Sequence, residues 1–360
     1  MVISVNTYNP YNIVVERGIL DKVGDIVASE YKNTTKIMII SDSNVFPLYG
    51  EKVTALLTAK GFAVKNFVFP AGEDSKNMRT AMDIYKSLAE AGFTRTDLII
   101  TLGGGVVGDI GGFVAATFQR GMDYIQIPTT LLAQIDASVG GKTGIDLPFG
   151  KNLVGAIYQP KAVITDPQVL RTLPKYWFVD GMAEVVKYGC VCDGTLFAEL
   201  ETGKAIRELD ATICRCIELK KKYVEEDAQD KGERMLLNFG HTFGHALEKL
   251  HNFSGISHGR AVAVGMYMAA VISEGLSLAE KGLSERIGNL LEALELPISD
   301  EYPIEKIIDA TVLDKKSIGK SLNMILLKDI GTAVTHATDR NYLILRCKII
   351  EQQKLRNGKA

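Results

Sequence analysis

Thr101–Gly112 reads TLGGGVVGDIGG and takes over directly from the apolar run Asp97–Leu102. Gly103, Gly105 and Gly108 satisfy G-x-G-x-x-G, and a helical stretch follows. Glycines at that spacing let a backbone approach a pyrophosphate, whose charge a helix N-terminus favours. The plain alternative is a tight strand-to-helix turn. Outward from this stretch, Lys36–Ser41 (KIMIIS), Val64–Phe69 and Tyr124–Ile127 have strand length and composition, and Val53–Lys60 and Asn77–Ala91 have helical periodicity. Strands alternating with helices predict a mostly parallel sheet covered on both faces. No acidic ribose partner follows the glycine stretch closely. Asp42, at the end of KIMIIS, is the better candidate, because strand ends of a parallel sheet converge on one crevice.

After about Pro174 the glycines thin out and amphipathic patterns take over. Met182–Cys190, Leu196–Leu209, Thr212–Asp227, Leu236–Leu250, Ala261–Glu280 and Glu285–Leu294 all suit helices. The expectation is two domains, an α/β domain over 1–173 and an all-helical one over 174–360. A chain of 360 residues is long enough for both. Lys+Arg 41 against Asp+Glu 43 leaves no basic excess, which disfavours nucleic acid but not a small anion held by local cations. No apolar run approaches the ~20 residues that span a bilayer, and Met1–Arg17 does not resemble a signal peptide, so a soluble cytoplasmic protein is expected. Cys190/Cys192 and Cys214/Cys216 are C-x-C pairs in helical segments, where such spacing does not share a face, so reduced thiols are expected rather than a zinc site.

Three further segments carry chemistry. GEDSKN (Gly72–Asn77) offers a Glu and a Lys three apart, for a ribose or phosphate or simply as a capping turn. Pro128–Asn152 carries Thr129, Thr130, Asp136, Lys142, Lys151 and Asn152 among glycines, an oxyanion cradle or a polar loop. Its GGKTG lacks the spacer of a P-loop. In Leu236–Glu248, His241 and His245 stand at i and i+4, on one helix face. That spacing suits chelation, though it also fits a packed pair. His258 follows in SHG, and Glu184 sits in apolar surroundings where an unpaired carboxylate is costly. Two His and one Glu with an open position form a catalytic zinc set. Lys187, Lys220, Arg234 and Lys315/Lys316 add local positive charge.

In this order and spacing, GEDSKN, GGGVVGD, PTTLLAQIDASVGGKTGI, GKNLVG, GMAEVVKYG and LNFGHTFGHALE resemble the 3-dehydroquinate synthase family, over about Asp42 to Lys316. The resemblance implies an N-terminal Rossmann-like α/β domain that binds NAD, a helical metal- and substrate-binding domain, a divalent zinc or cobalt ion, and a homodimer. It implies Glu184, His241 and His258 as metal ligands, with His245 a substrate contact or proton relay. NAD contacts would come from Asp42, Glu73, Lys76, Gly104, Gly105, Val106, Val107, Gly108, Asp109, Thr129, Thr130, Lys142, Lys151 and Thr172. An anionic sugar phosphate would be handled by Lys142, Asn152, Lys187, Lys220, Arg234, Asn238, His245, Asp136 and Lys315 or Lys316, with Arg120 reaching the neighbouring subunit's site. The implied chemistry is alcohol oxidation, β-elimination of phosphate, re-reduction and aldol closure. Arg260 stands after HG where the family more often has an acid. Sibling sugar-phosphate cyclases, metal-dependent alcohol dehydrogenases and a non-catalytic nucleotide-binding module are the rival readings.

Overall fold

The alternation around the glycine stretch is realised as a seven-stranded sheet. The structure is a computed structural model and describes residues 1–148, 150–311, 317–318, 321–339 and 342–343. Two compact units form, one of residues 1–178 with 213–229, the other of residues 179–212 with 230–360. The expected boundary at 173/174 thus stands beside a first break after Phe178, and residues 213–229 belong with the first unit.

The first unit contains β1 (Val2–Val5), β2 (Tyr11–Val15), α1 (Val23–Glu30), β3 (Lys36–Asp42), α2 (Glu51–Thr58), β4 (Ala63–Phe69), α3 (Met78–Glu90), β5 (Leu98–Gly103), α4 (Gly105–Thr117), β6 (Asp123–Pro128), β7 (Lys142–Leu147), β8 (Gly150–Ile157) and β9 (Ala162–Thr165). Sheet order is β1-β2-β9-β6-β5-β3-β4. Only β1 and β2 pair antiparallel in it; the other pairings are parallel. Buried residues alternate along β3. Ile37 and Ile39 join a core with Val23, Val53 and Leu57 from α1 and α2, whereas Met38 and Ile40 join one with Ile84, Val107 and Val114 from α3 and α4. Both faces are therefore covered, which is why these strands read as continuous apolar runs. The chain steps from β3 out to β4, then returns to the other side of β3 with β5. That reversal is a topological switch point, where ligands of open α/β sheets collect beyond the strand ends. The glycine turn after β5 and Asp42 at the end of β3 stand on it.

The rest of the chain supplies α5 (Lys175–Cys192), α6 (Gly194–Glu201), α7 (Lys204–Arg207), α8 (Leu209–Glu226), α9 (His241–Leu250), α10 (His258–Gly275), α11 (Leu283–Ala293), α12 (Ile304–Thr311), β10 (Ser317–Ile318), β11 (Ser321–Asp329) and β12 (Thr332–Asp339). The second unit is mainly helical but not all-helical: β10, β11 and β12 form an antiparallel sheet. Two expected helices are broken. Leu196–Leu209 divides at Gly203, which has φ 69. Leu236–Leu250 divides at Gly240, with φ 80, leaving a 3-10 turn over Glu233–Asn238 before α9. Side chains with a Cβ would not fit where α9 meets α10, since a Cβ on Gly265 would stand 2.0 Å from the Gly240 carbonyl oxygen. This close approach brings His241 and His258, each the first residue of its helix, towards one another. The described cysteines are free thiols on α5 and α8. No helix among the described residues is long and apolar enough to cross a membrane.

Candidate active site

In the first unit, α4 begins at Gly105 with Gly104 as an extended N-cap and no side chain capping it. Its first N–H groups lack intrahelical partners and suit an anion. Thr129 donates its N–H to Gly103 O at 2.9 Å, and its buried hydroxyl has no hydrogen-bond partner among the described residues. A buried hydroxyl without a partner costs free energy, so a bound polar group fits there. Thr130 lies over the turn: its Cγ2 would sit 3.1 Å from a Cβ on Gly104, and its Oγ1 accepts from Ala133 N at 3.1 Å. Asp42 Oδ1 accepts the N–H groups of Asn44 and Val45 at 2.8 and 2.9 Å. Thr172 Oγ1 is 2.5 Å from the Tyr49 hydroxyl.

Beside the glycine turn lies a charged cluster. Lys76, 5% exposed, places Nζ 2.6 Å from Asp109 Oδ2 and donates to Asn152 Oδ1 at 2.6 Å. Burial opposes its charge, but Asp109 and Glu73 outweigh that and raise its pKa, so it stays an ammonium. Lys151 Nζ is 3.3 Å from Glu73 Oε1. Asn152 adopts φ 54, held there by Asp146, whose Oδ1 accepts its N–H at 2.7 Å. The Pro128–Asn152 segment is thus no plain loop. It forms a turn over Ala133–Ala137 and the β7–β8 hairpin, which aims Asn152 at Lys76. In GEDSKN, Asn77 caps α3 through Thr80 N at 3.0 Å, as the capping-turn reading expects, while Glu73 and Lys76 face the cluster. Lys220 on α8 meets Asp136, at 3.0 Å from Oδ1 and 2.6 Å from the carbonyl. Lys142 opens β7. Arg120 is not brought here. It follows the C-terminal end of α4 with φ 63, about 20 Å of helix from the glycine turn.

In the second unit, α5, α9 and α10 bring Glu184, His241 and His258 together, with one ligand atom from each within 4.8 Å of the others. Glu184 Oε1 is 3.5 Å from His241 Nε2 and 3.4 Å from His258 Nε2. Tetrahedral donors about 2.1 Å from an ion stand about 3.4 Å apart, so the donor set fits zinc or cobalt in both spacing and chemistry. His241 Nδ1 faces the Phe239 carbonyl at 3.1 Å, which turns the lone pair of Nε2 inward. Burial depresses the His241 pKa to about 3, keeping the imidazole neutral. At His258 burial acts the same way, but hydrogen bonds to Glu184 and Glu248 prevail and raise its pKa well above the ordinary value. Two carboxylates there favour positive charge at this point.

His245 lies beside this trio, its ring 5.5 Å from that of His241 and 6.4 Å from that of His258. In place of the pair that i,i+4 spacing suggested, candidate donors from three helices come together. Lys187, 2% exposed, pairs with Glu184 Oε2. Arg234 and Asn238 share the 3-10 turn before α9. Asn238, His241, Thr242, His245, Thr311, Leu322 and Asn323 line a small pocket with room for about one water molecule. Sequence reasoning missed Thr311, Leu322 and Asn323, which distant segments supply. It also missed Asp180, whose Oδ1 accepts from Ser257 Oγ at 2.5 Å and Arg260 N at 3.1 Å, fastening the first turn of α10 to α5. Lys315 and Lys316 lie outside the described residues.

A family model described as 3-dehydroquinate synthase N-terminal matches residues 66–180, and one described as 3-dehydroquinate synthase C-terminal matches residues 181–317. A 3-dehydroquinate synthase of Clostridium acetobutylicum is 50% identical over 90% of this chain and 92% of its own. The chain belongs to the 3-dehydroquinate synthase family. A second relative of that name, from Clostridium botulinum, is 45% identical over 91% of this chain and 95% of its own. Among solved structures, a 2-deoxy-scyllo-inosose synthase complexed with carbaglucose-6-phosphate, NAD+ and Co2+ is similar at TM-score 0.86 and 27% identity, over 96% of this chain and 98% of that one. A 2-epi-5-epi-valiolone synthase from Streptomyces hygroscopicus with NAD+ and Zn2+ bound matches at TM-score 0.86 and 25% identity, over 98% and 99%.

Proposed function

We propose that the chain converts 3-deoxy-D-arabino-heptulosonate 7-phosphate to 3-dehydroquinate and phosphate, as an NAD- and metal-dependent carbon–oxygen lyase of the shikimate pathway that leads to chorismate and the aromatic amino acids. The observation that carries this reading is the Glu184–His241–His258 trio in a chain half identical to a relative of that name. When bound, NAD would supply a reversible hydride acceptor and the divalent ion Lewis acidity at the substrate's oxygens.

This chain's own residues do the rest. The uncapped start of α4 receives the dinucleotide's phosphates, with Gly104 to Asp109 and Thr129 and Thr130 around it. Asp42 offers a carboxylate to a ribose, and Thr172, Glu73, Lys76 and Lys151 complete the cofactor's surroundings. Glu184, His241 and His258 hold the ion. Arg234 suits the substrate's planar carboxylate because a guanidinium forks onto two oxygens. Lys142, Asn152, Lys187, Lys220 and Asn238 hold the remaining oxygens, Asp136 orients Lys220 through their 3.0 Å pair, and His245 moves or holds a proton at a substrate hydroxyl. Holding both anionic ends of a small substrate in place supplies much of the rate in a reaction of this kind. The working form is a cytoplasmic homodimer, with Arg120 serving the neighbouring chain's site.

The test is turnover of three candidate substrates by the purified protein. Phosphate release from the heptulosonate phosphate, with none from sedoheptulose 7-phosphate or glucose 6-phosphate, supports the reading. The opposite preference would assign the chain to a sibling cyclase.

A further inference from the structure

An imidazole ligand has two ring nitrogens, and only one can face an ion. Its other nitrogen decides the tautomer and the ring's orientation. At His241 that role falls to a neutral dipole, the Phe239 carbonyl 3.1 Å from Nδ1. At His258 it falls to a full charge: Nδ1 lies 3.4 Å from Glu248 Oε1. Glu248 is 3% exposed and sits on α9 seven residues after His241, so His241, His245 and Glu248 follow the i, i+4, i+7 rule along one helix face. The His258 side chain is 31% exposed, against 13% for His241, so packing restrains its ring less.

We propose that Glu248 is the positioning residue for His258. It fixes the Nδ1–H tautomer, aims Nε2 at the point that Glu184 and His241 share, and makes that nitrogen a stronger donor to a divalent cation. The inference rests on the metal reading above and deepens it. Two facts support the assignment. A buried carboxylate is costly without a partner, and the His258 N–H is one. Glu184 Oε1 lies 3.4 Å from the other nitrogen, so the ring stands between two carboxylates on opposite sides. With an ion on Nε2, the Nδ1–H becomes more acidic and its bond to Glu248 strengthens.

The test uses the full-length protein and two variants. Glu248→Gln keeps an oxygen acceptor without the charge, and Glu248→Met keeps the volume without an acceptor. Zinc affinity is measured by chelator competition, the Co2+ absorption bands are recorded, and thermal midpoints are taken on metal-free protein. The expected result is a Glu248→Met affinity about 10- to 100-fold weaker with altered Co2+ bands, and a Glu248→Gln affinity recovering most of that loss. Affinities for both variants within twofold of the wild type, or a Gln variant as weak as the Met variant, would overturn the proposal. A wild-type protein that takes up no stoichiometric ion would instead sink the metal reading beneath it. If Glu248→Met does not fold, the Co2+ bands and affinity of Glu248→Gln decide: a modest weakening supports the role and no change refutes it.

Discussion

Gly259→Ala should cost the protein its metal far more than its fold. Gly259 is the second residue of α10, and a Cβ there would stand 1.9 Å from the Asp180 carbonyl oxygen and 2.7 Å from its carbonyl carbon. Both are backbone atoms of α5 and cannot swing aside. Ordinary contact begins near 3.4 Å, so the start of α10 must retreat about 1.5 Å from α5. Glu184 lies one turn beyond Asp180 on α5, and His258 is the residue before Gly259. The 3.4 Å between Glu184 Oε1 and His258 Nε2 would open towards about 5 Å. Two metal–ligand bonds of about 2.1 Å span at most about 4.2 Å, so one ligand must let go. The retreat also stretches the bond from Arg260 N to Asp180 Oδ1, now 3.1 Å. Overpacking costs about 1–3 kcal/mol, and alanine's better helix propensity returns about 1 kcal/mol. The net loss of stability is therefore about 0–2 kcal/mol, while zinc affinity should fall at least 100-fold. Chelator competition and thermal denaturation of the metal-free protein read the two effects separately. An alanine variant with zinc affinity within threefold of the wild type would refute the claim that this contact sets the ligand geometry.

Other outcomes follow from named contacts. Lys76→Met leaves the half-buried Asp109 without its ammonium, so chemical denaturation should show a loss of about 2 kcal/mol, and adding Asp109→Asn should recover much of it; equal losses would contradict the pairing. For Asp97, burial opposes the charge, but the N–H groups of Thr94 and Lys36, at 2.8 and 3.0 Å, prevail and lower its pKa. A depressed carboxylate pKa gives stability that is present above the unfolded value of about 3.9 and lost as pH falls through the folded one. Asp97→Asn should thus destabilise at neutral pH, and its gap from the wild type should shrink below about pH 4; a gap that widens there would be wrong for this sign. On the proposal that Arg120 serves a neighbouring chain's site in a homodimer, mixed Arg120→Ala and His241→Ala chains should regain activity that neither has alone, because one site of the mixed pair would be complete, and no recovery after exchange of subunits would remove Arg120 from a neighbour's site.

The central parallel strands were legible because both faces are covered, so their composition is continuously apolar. β1–β2 and β9 were not noticed, being short edge or near-edge pieces, and β7–β8 hides its strands among glycines and lysines. The run Leu322–Leu327 fits helix or strand locally, and its pairing with β12 settles it as strand. In the site, spacing could place His241 and His245 on one face but not say which of them faces Glu184. That depends on the glycine-mediated approach of α9 and α10 and on Asp180 fastening α10 to α5, neither of which is a local property of the sequence. Glu248 was inside a quoted motif, yet its partner lies across a helix–helix contact.

The central claim is that redox chemistry here is transient and serves phosphate elimination. The most direct test incubates the metal- and NAD-loaded protein with the heptulosonate phosphate and follows released phosphate and NADH absorbance together. The account predicts phosphate rising over many turnovers with no net gain of NADH. NADH accumulating in step with substrate loss, while phosphate stays bound to carbon, would contradict it.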